Sequence, residues 1–211
     1  ETMQQSVDAV LQQRERTGVP MFPHINHPNF YWAVTLEDMI SLKGERFFEV
    51  YNGHPMVRNY GDSAHISTET MWDKINIAYT NRNQPLMYGL ATDDSHNYHE
   101  FGTAFSNAGR GWVMVQAEGL DASSLIIAME AGKFYASTGV EFKTLLAANN
   151  EIKVEIAEEK NITCTIDFIG VKKGENDSKV IESVKGTSAT FTITDEYLFV
   201  RARVTSSKEK Y

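Results

Sequence analysis

The alternation of strand-like and helix-like segments before Gly139 is the feature that most restricts the fold of this chain. Short apolar runs at 19–22, 46–51, 86–92, 111–117 and 134–137 are separated by segments with helical spacing and cap-like residues, at 35–44, 68–81 and 121–131. Such alternation predicts βα units and a largely parallel sheet. A further helix is expected before Gly18, where Val7, Val10 and Leu11 recur at helical spacing.

The pattern changes after Gly139. The runs Ile152 to Ile156 and Ile162 to Phe168 alternate apolar and polar residues with period two, and turn residues rich in Gly, Asn and Lys separate them. This predicts an antiparallel β module. We therefore expect an α/β domain over 1–139 and a small, β-sandwich-like module over 140–211.

Composition excludes several classes of protein. The chain has 211 residues, 42% of them hydrophobic, and a formal net charge of -8. The absence of a basic cluster argues against a nucleic-acid partner, and no apolar run reaches the roughly 20 residues of a membrane span. The single Cys164 lies in phase with apolar neighbours and is predicted to be a core residue. The composition suits a cytoplasm or a bacterial periplasm equally.

An Asp-x-His pair stands where an apolar run ends, in Gly89-Leu90-Ala91-Thr92-Asp93-Asp94-Ser95-His96. If the strand continues through this pair, Asp94 and His96 point to the same side and converge. A carboxylate oxygen beside an imidazole nitrogen is a donor set that Zn, Mn and Fe accept. The alternative is an Asp-rich turn with a surface histidine.

Further candidate side chains lie near the ends of other apolar runs. His27 is in Asn26-His27-Pro28-Asn29, and Glu49 is in the strand candidate at 46–51. In α/β barrels, residues at the carboxyl ends of strands face a shared mouth where chemistry is built. As alternatives, His27 is a turn residue and Glu49 is a buried partner of an arginine or of a backbone amide.

Three more histidines and a group of aromatic residues complete the candidates. His54 is a candidate proton donor or a loop residue, His99 is a candidate for substrate contact, and His65 is expected to be solvated. The aromatic residues Phe30, Tyr31, Trp32 and Tyr98 follow the candidate ligands closely. They suit stacking on a substrate, or packing beside a pocket.

Taken together, three motifs resemble those of the PHP (polymerase and histidinol phosphatase) family of metal-dependent phosphoesterases. They are Asn26-His27-Pro28-Asn29, Phe48-Glu49-Val50-Tyr51-Asn52-Gly53 and Thr92-Asp93-Asp94-Ser95-His96. The similarity is greatest to the branch with carbaryl-esterase-like metallohydrolases, which the segments 111–115 and 124–139 also resemble. The likeness covers about residues 1 to 140.

The resemblance implies the carboxyl-terminal portion of a distorted (β/α)7 barrel that binds two or three divalent metal ions, Zn, Mn or Fe. It implies His27, Asp94 and His96 as metal ligands. Asn29, Tyr31, Glu49, Asn52 and Tyr98 would shape the site or contact the substrate. The family's opening His-x-His motif has no counterpart before His24. We therefore expect an upstream segment or a partner chain to complete the barrel and to cover the sheet edge that a half barrel would expose.

The motifs predict a hydrolase for a small-molecule ester. Metal-activated water would attack a phosphate ester, with Asp94 steering the nucleophile and His54 or His99 protonating the leaving group. Hydrolysis of a carboxylic or carbamate ester, or of an amide, is the rival within the same chemistry. A non-catalytic protein that binds carbohydrate or another surface ligand through its aromatic residues, with a degenerate metal pocket, is the alternative from another class.

Overall fold

The computed structural model describes residues 2–208, and the chain divides between Thr138 and Gly139 into two compact units. Within the described part of the chain, no helix has the length and apolar character needed to cross a membrane. The first unit is mixed α/β, and the second is built from β-strands alone among its described residues.

The first unit contains four helices and four strands among its described residues. In chain order they are α1 (Met3–Thr17), α2 (Leu36–Ser41), β1 (Phe47–Asn52), α3 (Thr68–Asn81), β2 (Tyr88–Thr92), β3 (Trp112–Val115), α4 (Ala122–Glu130) and β4 (Phe134–Ser137). Each helix begins after a residue whose side-chain oxygen accepts a hydrogen bond from a backbone amide of the first turn: Thr2, Thr35, Ser67 and Asp121. Gly18 ends α1 in the left-handed conformation, at φ 67°.

The core of the first unit lies where α2 and α3 pack on β1. Its buried side chains come from these three elements, from the residue after α2 and from the residue before β2: Met39, Leu42, Phe48, Met71, Ile75, Tyr79 and Met87. β1 pairs with β2 in parallel, with Asn52 opposite Thr92, and Ile25 forms a parallel bridge to Phe48 on the other side of β1. Two strand ends and the segment around Ile25 are thereby held side by side.

The prediction of a largely parallel sheet is wrong in two places. The run 19–22 is not a strand, because Pro20 and Pro23 lack the amide hydrogen that a ladder needs, and only Ile25 pairs with β1. β3 and β4 pair antiparallel. The prediction missed this because the apolar period that predicts a strand carries no information on the direction of the strand. Residues 2–208 form small separate sheets, and no barrel is closed among them.

The second unit forms two three-stranded antiparallel sheets. Its strands are β5 (Phe142–Ala148), β6 (Glu151–Ile156), β7 (Cys164–Lys172), β8 (Lys179–Lys185), β9 (Ser188–Thr192) and β10 (Tyr197–Ser206). One sheet has the order β5-β6-β9 and the other β10-β7-β8. Inward side chains of both sheets share one core, which includes Val154, Ile166 and Phe168. Cys164 is buried in this core, as the sequence predicts.

The first unit buries one acidic side chain that has an oxygen without a hydrogen-bond partner among the described residues. Glu45, just before β1, is only 2% exposed; its Oε1 accepts a hydrogen bond from the Phe47 amide, and its Oε2 has no hydrogen-bond partner among the described residues. Burial raises the pKa of this carboxyl from 4.5 to about 8, against the opposing effect of the Phe47 and Arg46 amides. Glu45 is therefore protonated in the folded protein at neutral pH.

Glu45 predicts a pH-dependent stability. Between about pH 4.5 and pH 8 the unfolded chain releases this proton and the folded one retains it, so the free energy of unfolding falls as pH rises, by about 1.4 kcal/mol per pH unit from this group. Glu45→Gln should remove that part of the slope. Urea denaturation followed by tryptophan fluorescence measures it, since Trp32, Trp72 and Trp112 all belong to the first unit.

Glu15→Gln is the matched control, because Glu15 is exposed on α1. It should leave the pH dependence as in the wild type. An unchanged slope in Glu45→Gln would contradict the assignment of a buried, protonated Glu45.

Candidate functional site

The predicted site residues gather at one end of the parallel pair β1 and β2. Both strands run towards this end, and pairing continues one step further, where the Gly53 amide donates to the Thr92 carbonyl at 2.8 Å. A side chain does not fit at Gly53, since a Cβ there would lie 2.6 Å from Cβ of Arg110 and 3.1 Å from the Asp93 backbone. This close approach brings the segments after β1 and β2 together.

Glu49 is a buried carboxylate that neighbouring segments hold through hydrogen bonds. Its Oε2 accepts from the His27 amide at 2.6 Å and from Nδ2 of Asn52 at 2.9 Å, and its Oε1 accepts from Oγ1 of Thr92 at 3.1 Å. Nδ1 of His24 lies 4.0 Å from Oε1. Because its oxygens already serve donors of the protein, Glu49 organises the site, as a buried partner of a backbone amide does.

Asn52 connects Glu49 to the Asp-x-His pair. Its Nδ2 donates to Glu49 and, at 3.3 Å, to Oδ2 of Asp94, while its Oδ1 accepts from the His54 amide at 2.8 Å. The backbone of Asn52 exchanges two further hydrogen bonds with the side chain of Asn59, at 2.9 Å and 2.8 Å. The Asn52 side chain is 1% exposed and uses both of its polar atoms.

Asp94 and His96 lie beyond the end of β2, so the predicted strand geometry of this pair is wrong. β2 ends at Thr92, and Asp94 adopts the left-handed conformation with φ 50°. The pair is nevertheless close, with 3.6 Å between Nδ1 of His96 and Oδ1 of Asp94. Oγ of Ser106 donates a hydrogen bond to the Asp94 carbonyl, and the Ser106 carbonyl accepts one from the His96 amide at 2.9 Å. These two bonds fix the turn.

Backbone groups determine which nitrogen of each histidine carries hydrogen. Nδ1 of His96 lies 2.6 Å from the Asp94 carbonyl, which only accepts, so the neutral ring has a free lone pair on Nε2. Nδ1 of His54 accepts from the Met56 amide at 3.2 Å, so its Nε2 carries the hydrogen. The two rings are perpendicular, with centroids 5.7 Å apart. One ring offers an acceptor and the other a donor.

The remaining predicted residues lie at different depths. Asn29 is buried, and its Nδ2 donates to the carbonyls of Arg58 at 3.0 Å and Ile66 at 3.1 Å, so it joins two loops. The ring of His27 lies 5.2 Å from that of Phe30. Substrate contact by Asn29 stays a prediction.

Three predicted residues lie at the surface. Tyr31 is 72% exposed and Tyr98 is 66% exposed, and the Tyr98 hydroxyl donates to the Ser95 carbonyl at 2.8 Å. His99 is also exposed. Their side chains are therefore accessible to a ligand from solution.

The candidate ligands do not form a complete metal centre within residues 2–208. No three His, Cys, Asp or Glu side chains in this range are placed to hold one ion. Asp94 and His96 supply two donor side chains in one turn, and the ring of His27 packs beside Phe30. The metal site at these three residues stays a prediction.

Sequence reasoning did not identify several residues that shape the site. His24 lies beside Glu49, Asn59 fastens Asn52, and Ser106 closes the turn at Asp94. His24 carries a weak signal, since it precedes His27 by three residues. Asn59 and Ser106 act through loops whose paths depend on the whole fold, and no local pattern marks them.

Comparison of the chain with protein-family models, with curated proteins and with solved structures finds no match. The function is therefore inferred from the geometry of this site and from the resemblance of its motifs.

Replacing Asn52 tests the hydrogen-bond network. Asn52→Ala removes donors from two carboxylates and the acceptor of the His54 amide, so we expect the free energy of unfolding to fall by about 3 kcal/mol. Urea denaturation followed by tryptophan fluorescence measures the loss. Asn81→Ala, at the exposed end of α3, should change stability by less than about 0.5 kcal/mol. Equal stability of the two variants would contradict the network.

Proposed function

We propose that this chain belongs to a metal-dependent hydrolase that cleaves a phosphate ester with metal-activated water. The observation that carries the proposal is that one turn after β2 holds two side chains of the metal-ligand type, the Asp94 carboxylate and the His96 ring, whose Nδ1 is occupied by the Asp94 carbonyl and whose Nε2 is left to bind an ion. Asp94 adopts the left-handed region, which aspartate tolerates better than most residues, and this turn brings its carboxylate and His96 into the same loop. The resemblance of the motifs to the PHP family agrees with this proposal.

The donor types suit Zn, Mn or Fe, but two donor side chains are fewer than a metal centre needs. A carboxylate oxygen and an imidazole nitrogen bind these ions readily, but a catalytic zinc ordinarily has three protein ligands. The resemblance assigns His27 as a further ligand. We propose that the remaining ligands of a site for two or three ions, and the rest of a (β/α)7 barrel, come from a segment outside residues 2–208 or from a partner chain.

Each residue of the site then has a defined role. A metal ion, when bound, would lower the pKa of a water molecule and polarise the ester. Asp94 and His96 would hold the ion, with Nε2 of His96 as donor atom, and Asn52 keeps the Asp94 carboxylate oriented. The Nε2–H of His54 would donate a hydrogen bond to the leaving oxygen, and His54 would protonate that oxygen only after Nδ1 exchanges the Met56 amide for a proton. His99 is the second candidate for that proton transfer.

Two other functions remain as alternatives. Hydrolysis of a carboxylic or carbamate ester, or of an amide, would use the same residues. A non-catalytic protein that binds carbohydrate or another surface ligand is favoured by one specific observation, the high exposure of Tyr31 and Tyr98 beside the site. Such a protein would need neither a metal ion nor the free lone pair on His96.

Metal content tests the hydrolase directly. We expect about one or more equivalents of Zn, Mn or Fe after incubation with each ion, and a loss of that metal in Asp94→Asn/His96→Gln, because both donors are removed. Elemental mass spectrometry measures it, and p-nitrophenyl phosphate and p-nitrophenyl acetate then separate phosphatase from carboxylesterase activity.

Asp62→Asn/His65→Gln is the matched control, since Nδ1 of His65 lies 2.8 Å from Oδ1 of Asp62 in another exposed Asp–His pair. It should retain the metal. The absence of bound metal from the wild-type chain with every ion would show that this chain alone does not hold the ion; the site would then need the outside segment or partner chain, or the non-catalytic alternative would replace the hydrolase.

A further inference from the structure

Four aromatic rings form a continuous row that ends at the Asp–His pair. The ring centroids of Tyr31 and Phe30 are 4.6 Å apart, those of Phe30 and His54 are 5.8 Å apart, and those of His54 and His96 are 5.7 Å apart. All three contacts are edge-to-face, an arrangement that aromatic rings favour and that fixes their relative orientation. We call these four residues the aromatic row.

The backbone turn at Tyr31 and Trp32 presents the outer ring of the row to solvent. Tyr31 and Trp32 both adopt the left-handed region, with φ 52° and 58°, which is rare for two successive bulky residues. Trp32 stacks on His65, with centroids 4.0 Å apart and planes 7° apart, whereas Tyr31 remains 72% exposed. The turn therefore fastens one ring and presents the next one to solvent.

A second exposed tyrosine stands near the opposite end of the row. The hydroxyl of Tyr98 donates to the Ser95 carbonyl, and Ser95 lies between Asp94 and His96 in the chain. This hydrogen bond restricts the Tyr98 ring while most of its surface stays accessible. Rings that are oriented before binding lose little conformational entropy when a ligand stacks on them.

We propose that Tyr31, at the outer end of the aromatic row, and Tyr98 each stack on a pyranose ring of a neutral carbohydrate chain. A pyranose has an apolar face of C–H groups and a rim of hydroxyls, which matches exposed rings beside the hydrogen-bonding groups of Asp94 and the tyrosine hydroxyls. This inference rests on the proposed hydrolase function and names its substrate class, an ester carried by a carbohydrate. The row would lead that ester to Asp94 and His96.

Charge and exposure argue against other ligands that stack on aromatic rings. Nucleic acid also stacks on such rings, but it carries a phosphate at every nucleotide, and the chain has a net charge of -8 and no basic cluster to neutralise such a series of charges. A compact apolar molecule is ordinarily buried over most of its surface in a concave pocket. The exposed rings of Tyr31 and Tyr98 instead suit a chain that keeps one face in water.

Calorimetric titration with cellohexaose, xylohexaose and chitohexaose tests this inference on the full chain. We expect at least one to bind with a dissociation constant of about 1 mM or tighter. Tyr31→Ala and Tyr98→Ala should each weaken binding by about tenfold, because each removes a stacking face. Tyr31→Phe retains the ring and should stay within about twofold of the wild type. Leu120→Ala, which truncates the 97% exposed Leu120, is the surface control.

The titrations contain a chelator, so their outcome does not depend on whether the chain binds a metal ion. Binding lost in Tyr31→Ala but kept in Tyr31→Phe and Leu120→Ala would support the subsite even if no hydrolysis is found. No binding of the three oligosaccharides up to about 10 mM, or unchanged binding in both alanine variants, would overturn it. Tyr31-dependent binding of tetramethylammonium in place of the oligosaccharides would also overturn it and indicate a cation site.

Discussion

The buried carboxylate of Glu49 is the interaction on which the rest of the site depends. A carboxylate that is 4% exposed is costly unless hydrogen bonds replace its lost water. Here the donors come from three places in the chain: the His27 amide, the Asn52 side chain and the Thr92 hydroxyl. The path of the segment around His27 and the register of β1 against β2 are therefore linked, since moving either would leave the charge short of a donor.

Asn52 extends this constraint from the sheet to the loops. It shares its Nδ2 hydrogens between Glu49 and Asp94, and its Oδ1 holds the His54 amide. Two non-glycine residues in this network, His27 and Asp94, have positive φ values of 22° and 50°. Such conformations persist only where surrounding contacts over-determine them, and the hydrogen bonds to the His27 amide and to the Asp94 carboxylate and carbonyl are contacts of that kind.

The elements that local chemistry specifies were predictable from the sequence. The helix at Thr68–Asn81 is confirmed, because its apolar residues repeat at helical spacing after a capping serine. The antiparallel strands after Gly139 are confirmed because alternation with period two has a direct structural meaning. The direction of β4 against β3 was not predictable, since it depends on how the chain returns after α4.

The sequence predicted which residues gather at the candidate site, but it did not predict how they are arranged. The motifs selected Glu49, Asn52 and Asp94, which the structure brings into one hydrogen-bond network. They gave no sign of Ser106, which lies 12 residues after Asp94 and closes its turn. The strand rule failed for His96 because the chain leaves β2 at Thr92 and turns, and a left-handed residue breaks the alternation on which that rule depends.

His54 and His96, whose rings contact each other, have opposite hydrogen positions, and the cause lies in the fold itself. Nδ1 of His96 faces a carbonyl within its own turn, whereas Nδ1 of His54 faces an amide two residues further along the chain. Neither arrangement requires a ligand. The left-handed turn at Asp94 also places the Asp94 carbonyl against His96, so one conformation both orients the carboxylate and leaves the Nε2 lone pair available. Relaxing that turn would remove the acceptor and the carboxylate geometry together, so the left-handed conformation of Asp94 is required by both.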